Sequence, residues 1–119
     1  MSRINQIRQG DVLLQRVDEP AESTRLESQG LRVPGERTGH AHVLPAEVHQ
    51  VPPHLAFRLD DGRRVDHFLR LTEEAPIRHL KPDGTRADHD PIPVPPGWWV
   101  PITQREWTSA LPTPRARFD

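Results

Sequence analysis

Gly10-Asp11-Val12-Leu13-Leu14-Gln15-Arg16-Val17 reads as a turn that runs directly into a strand. Glycine and aspartate supply turn chemistry, and the β-branched and leucine residues behind them suit an extended chain. Val12-Leu13-Leu14 is continuous rather than alternating, which predicts a strand covered on both faces and placed centrally in a sheet. Before it, from Ile4, lies a mixed segment. After it, Asp18 to Gly30 is polar, contains Pro20 and has no period, so a surface loop is expected there, with a short helical turn over 21–26 as the alternative.

The same alternation of short strands and turn signals continues along the chain. Leu31-Arg32-Val33 is a strand closed by Pro34-Gly35, and a second strand carries His40 and His42 and ends at Pro45. Val48 to Pro53 reads as a bend, because Pro52-Pro53 forbids a ladder. Leu55–Leu59 and Val65–Leu71, joined through Asp60-Asp61-Gly62-Arg63, read as a hairpin, since Asp-Gly suits a turn that needs positive φ. A second hairpin runs from Ile77-Arg78-His79-Leu80 through Lys81–Thr85 and back over Ala87–Ile92. Pro95-Pro96-Gly97 is a turn, and behind it Trp98 and Trp99 point to opposite faces, one to the core and one to a pocket or interface. The expected fold is all-β: a small barrel or sandwich, a cupin-like jelly roll or a relative of one, of about seven or eight short strands.

The totals agree with that expectation. The chain has 119 residues, one domain's worth, with 34% apolar residues and 14 prolines against 7 glycines. That proline density excludes long helices. A single β domain is expected over residues 1–108, followed by a disordered C-terminal tail over 109–119. Sixteen basic and 17 acidic residues give a net charge of −1 without a block of like charge, which argues against nucleic acid as a partner. Met1-Ser2-Arg3-Ile4-Asn5 has no apolar signal region, and no apolar run approaches the roughly 18 residues of a membrane span, so a cytoplasmic protein without a membrane partner is expected.

There is no cysteine, so a metal site in this chain would use imidazole, carboxylate, backbone oxygen or water. His40 and His42 are two apart on an extended segment and therefore share a face, with roots about 6–7 Å apart. Their face also carries Thr38 and Leu44, while Gly39, Ala41 and Val43 form a small apolar opposite face that packs on the protein. His79 and His89 flank the second hairpin, and an odd residue in its loop would make them direct cross-strand neighbours. Together His40, His42, His79 and His89 form a candidate ligand set for Zn, Fe, Mn or Cu. Glu47, in the spacing His40-x-His42-x4-Glu47, is a candidate carboxylate, and Glu36 a candidate outer partner. His49, His54 and His67 are read as surface residues, Asp60 and Asp61 as turn residues. Gln104-Arg105-Glu106-Trp107 is read as a closing strand with a rim ion pair.

His40-x-His42-x4-Glu47 resembles part of the first cupin motif, which implies a metal-binding jelly roll. The wider set of Gln9–Leu14, Gly35–His42, Pro95–Gly97 and Gln104–Trp107 resembles small bacterial proteins of unassigned function. Those proteins carry a histidine shortly before Pro-Pro-Gly, a role that resemblance gives to His89. The Gly-Asp-Val-Leu-Leu opening also resembles small β-barrel co-chaperonin-type modules. Two functions are therefore expected to compete. One is a divalent-metal-binding protein, an enzyme only if a coordination position stays open. The other is a metal-free scaffold that binds a protein partner through its tryptophans or proline-rich end.

Overall fold

The computed structural model describes residues 4–34, 39–87 and 89–103. Its strands are β1 (Gln6–Gln9), β2 (Val12–Val17), β3 (Thr24–Leu26), β4 (Leu31–Pro34), β5 (Ala41–Leu44), β6 (Glu47–Gln50), β7 (Phe57–Arg58), β8 (Arg64–Val65), β9 (His67–Leu71), β10 (Ala75–Leu80), β11 (Ile92–Val94) and β12 (Gly97–Thr103), with one 3₁₀ turn at Pro53–Leu55. No α-helix occurs among the described residues, and no helix is long and apolar enough to cross a membrane.

The strands form a six-stranded sheet in the order β1-β2-β12-β9-β6-β3, a four-stranded sheet β11-β10-β5-β4, and the hairpin β7-β8. Every paired strand is antiparallel. The fold is thus all-β, an open two-sheet sandwich rather than a closed barrel, and its described residues form 12 short strands where about seven or eight were expected. The chain passes between these two sheets after β3, β5, β9 and β11, and prolines stand at the two crossings that return to the six-stranded sheet, Pro45 and Pro95-Pro96. A residue without an N–H leaves a ladder without breaking a bond in it.

One core lies between the two sheets. Ile7, Val12, Leu14, Leu69, Leu71 and Trp99 from the larger sheet meet Val33, Leu44, Ile77 and Val94 from the smaller one. A second cluster, Val51, Val65, Phe68, Val100 and Ile102, covers the other face of the six-stranded sheet and is closed by Leu55, Phe57 and Leu59. This accounts for Val12-Leu13-Leu14: Val12 and Leu14 enter the first core, while Leu13 packs against the second. Trp98 and Trp99 divide in the same way, Trp99 fully enclosed and Trp98 packed against the outer cluster.

Several expected boundaries are corrected. The segment read as a loop or helical turn contains β3, an edge strand paired with β6. The first half of the segment read as a bend, residues 48–50, belongs to β6, which ends before Pro52-Pro53; residues 51–53 leave the sheet as expected. The first hairpin is shorter than expected. Only Phe57-Arg58 and Arg64-Val65 pair, after which β9 leaves to join β6 and β12 in the large sheet. Asp60 and Asp61 do form its turn, where Asp61 accepts hydrogen bonds from the Arg63 amide and guanidinium. The expected tail at 109–119, the segment 104–107 and Glu36 lie outside the described residues.

Candidate metal centre

The site begins with the β1–β2 hairpin. Gln9 pairs with Val12, so Gly10 and Asp11 form a two-residue loop. Gly10 has φ +59°, the left-handed value that a type II′ turn requires at its first central position. A second constraint acts at the same residue. A Cβ placed on Gly10 would lie 2.8 Å from His89 Nε2 and 3.2 Å from His42 Cε1. The glycine is therefore the floor against which two imidazoles rest. Gly10→Ala is expected to lose about 1–2 kcal/mol from backbone strain alone, with more from displacement of the rings. Urea unfolding measures this, and an unchanged midpoint would mean that the turn does not have the conformation described.

β5 and β10 supply the next two rings. His42 pairs directly across the ladder with His79, and on its other side with Val33. Side chains opposite each other in an antiparallel pair share a face, and here the imidazoles stack with centroids 4.4 Å apart and planes 12° apart. His40, just before β5, meets the edge of His79 at 5.4 Å. His89 lies 4.9 Å from His79 and 6.1 Å from His42. All four histidines singled out in the sequence thus stand in one cluster, with His79 touching the other three.

The route by which His89 arrives differs from the expected one. Ile77 pairs with Ile92, but Leu80 bridges to Arg86, and the His79 carbonyl accepts a hydrogen bond from the Ala87 amide. The return chain between those two pairings is longer than the stretch it faces, so His89 is not the cross-strand neighbour of His79. It reaches the cluster on an exposed bulge, anchored by a long 3.4 Å hydrogen bond from its own amide to His79 Nδ1.

Gln9 orders the cluster, and the sequence reading did not assign it a role. It is only 2% exposed. Its side-chain amide donates to the carbonyls of Ile77 at 3.0 Å and Asp90 at 2.8 Å, which uses both N–H groups. Its Oε1, 2.8 Å from His42 Nδ1, can then only accept. His42 therefore carries its hydrogen on Nδ1 and presents an Nε2 lone pair. That lone pair faces Asp11 Oδ1 at 3.3 Å. Burial above all, then the neighbouring His79, push His42 down to about 4, against the upward pull of Asp11. At neutral pH the imidazole is uncharged.

The cluster is not a finished coordination sphere. Among the described residues, no three imidazole or carboxylate groups stand with their donor atoms gathered for one ion. The reason is visible in the stack. Ring lone pairs lie in the ring plane, so the nearly parallel His42 and His79 direct theirs side by side rather than toward a common point.

Glu47 plays no part in this arrangement. Its carboxylate accepts from His49 Nε2 at 3.0 Å and pairs with Arg70 at 3.4 Å and Arg25 at 3.6 Å, all on the six-stranded sheet. The cupin-type spacing from His40 is thus present in sequence without bringing the carboxylate to the rings. His49, read as a surface residue, is 9% exposed, with Ser23 Oγ at 3.0 Å from its Nδ1 and the edge of its ring toward Trp98 at 4.8 Å. Both of its nitrogens have partners, and the bond to Ser23 ties β6 to the residue that leads into the edge strand β3. The His49 bond is the first cause holding the Glu47 carboxyl below its ordinary value of 4.5. A depressed carboxyl gives stability that is present above its unfolded value and lost as pH falls through the folded one. In His49→Leu, Glu47 is expected to titrate at higher pH by carboxyl NMR, and an unmoved titration would contradict that link. His54 and His67 are exposed, as expected.

The sequence model described as a domain of unknown function (DUF8820) matches residues 8–104. The chain belongs to the DUF8820 family. That match runs from the start of the Gln9-Gly10-Asp11 turn to the end of β12, so this DUF8820 domain contains every group of the histidine cluster. Comparison with curated proteins and with solved structures gives no match.

Proposed function

We propose that this DUF8820 domain is a divalent-metal-binding protein whose ion lies at the histidine cluster formed by His40, His42, His79 and His89. The observation that supports it best is convergence. Imidazoles from β5, β10 and the following bulge meet, and two of them, His42 and His89, rest on a glycine that leaves room for nothing but hydrogen. Neutral imidazole is the form that binds metal, and a buried neutral His42 with one nitrogen fixed by Gln9 suits that role. Nitrogen donors without thiolate suit Zn, Fe, Mn or Cu(II) better than Cu(I).

Gathering the donors on one ion requires a ring to turn, and His89 is the group best placed to do so, since it sits on an exposed bulge. An ion with an open position would polarise water or a carbonyl or phosphoryl oxygen, the starting point for hydrolytic or oxidative chemistry. The cluster holds no further group that fixes a reaction type. The same proposal places the protein in the cytoplasm and relates it to the cupins.

Metal content decides it. Protein purified without an affinity tag is expected to retain close to one equivalent of a transition metal after gel filtration, and the His40→Ala/His42→Ala variant is expected to retain almost none. Equal, trace content in both would leave the metal-free scaffold, with a protein partner, as the function to pursue.

A further inference from the structure

Resting on the metal-binding reading, we propose that Asp11 is a ligand to the ion together with His42 Nε2 and His89 Nε2, and that Gln9 is the positioning residue that presents His42. The proposal follows from hydrogen-bond accounting. Both Gln9 N–H groups are used by the carbonyls of Ile77 and Asp90, so its oxygen must accept from His42 Nδ1. The reversed amide would place an oxygen against two carbonyl oxygens, and is excluded. His42 Nε2 is then an acceptor, and it faces a second acceptor, Asp11 Oδ1, at 3.3 Å. Two acceptors this close are stable when a cation or a proton lies between them.

The surroundings favour a metal cation. His89 Nε2 sits over the same Gly10 position that brings His42 close, so a third donor flanks the pair. His42 is buried, whereas the Asp11 side chain is 36% exposed and His89 is exposed, which leaves an approach from solvent for the ion and for a further ligand. Two imidazoles and one carboxylate form a facial set with open positions. That set suits Fe(II), Mn(II), Co(II) or Zn(II), and those positions would accept water or a small oxygen-donor anion. His79, whose Nδ1 accepts the His89 amide hydrogen, acts by placing the bulge. Gln9 is to His42 what a carboxylate or carbonyl is to the ligating histidine of a zinc enzyme. It fixes the tautomer and the ring orientation, and loss of such a partner costs about 10–100-fold in metal affinity.

Titration of tag-free protein with Co(II) and Zn(II), followed by calorimetry and by the Co(II) d–d spectrum, tests this. Asp11→Asn is expected to weaken both metals at least tenfold and to change the Co(II) spectrum, while the melting temperature of the metal-free variant stays near that of the wild type. Gln9→Leu is expected to weaken binding by about 10–100-fold and, in the metal-free protein, to release His42 from its single Nδ1–H tautomer, read from the imidazole ¹⁵N shifts. If the wild type binds metal and Asp11→Asn binds it equally well with the same spectrum, Asp11 is no ligand and the inference is overturned while the metal-binding reading stands. If the wild type binds neither metal, both are overturned.

Discussion

Trp99→Ala is expected to destabilise the domain by about 3–5 kcal/mol, the usual cost of removing a fully buried tryptophan. Small domains have about 5–15 kcal/mol in all, so the variant should sit at the edge of unfolding. Trp99 is completely enclosed in the core between the two sheets. Its indole N–H donates to the Pro95 carbonyl at 3.0 Å, and the Arg16 guanidinium lies 4.4 Å over its ring. Arg16 also donates to the carbonyls of Ile4 and Pro96. The alanine variant therefore removes apolar contact and also loosens the β11–β12 crossing and the approach to β1. In urea the midpoint should fall by roughly 2 M at an unchanged slope, taking about 2 kcal/mol per molar as the slope. Trp98→Ala, on the partly covered outer face, should fall by distinctly less. Equal losses at the two positions would contradict the assignment of the inter-sheet core.

Metal addition gives the second large effect. Zn(II) at a hundredfold excess over its dissociation constant should stabilise the folded protein by about 2.7 kcal/mol, and a thousandfold excess by about 4.1 kcal/mol, because only the folded chain gathers the donors. For a domain of this length the first figure corresponds to a rise in melting temperature on the order of 10 °C. Chelator should reverse it. In His42→Ala the shift should vanish, since the ring lost is the one held by Gln9 and flanked by Asp11, His79 and His89. His54→Ala, at an exposed histidine outside the cluster, should leave the shift intact and so controls for unspecific binding to imidazole.

The fold class was legible because two local signals were unambiguous. Val12-Leu13-Leu14 needed cover on both faces and received it, and prolines and turn residues spaced the strands, with Pro45 and Pro95-Pro96 at the two returns to the six-stranded sheet. The strands that escaped notice did so for physical reasons. β3 is a three-residue polar edge strand, Thr24-Arg25-Leu26, without a buried face to imprint a period. β6 was hidden by the prolines that follow it. β1 alternates exposed and buried residues, but its second inward position is Gln9, a polar residue that breaks the apolar pattern at the point where the chain departs from simple core packing.

The site was legible in part. Composition and spacing singled out the four histidines, but the contact between His42 and His79 depends on a long-range register that no local pattern encodes. Asp11 and Gln9 were in view from the start, inside the run Gln9–Leu14, where glycine and aspartate read as turn chemistry. They are turn chemistry. The same short turn leaves the aspartate carboxylate beside a ring more than thirty positions away in the chain, and only the folding of the two sheets together shows it. Glu47 misled for the converse reason, since spacing along the chain says nothing once the chain crosses from one sheet to the other at Pro45.

The most direct measurement is anomalous diffraction, at the metal edge, from crystals of tag-free protein grown with Zn(II). One peak is expected among His42, His89 and Asp11, about 2.0–2.2 Å from His42 Nε2 and from an Asp11 carboxylate oxygen. No peak at the histidine cluster, with the His42–His79 stack unchanged at saturating zinc, would contradict the account.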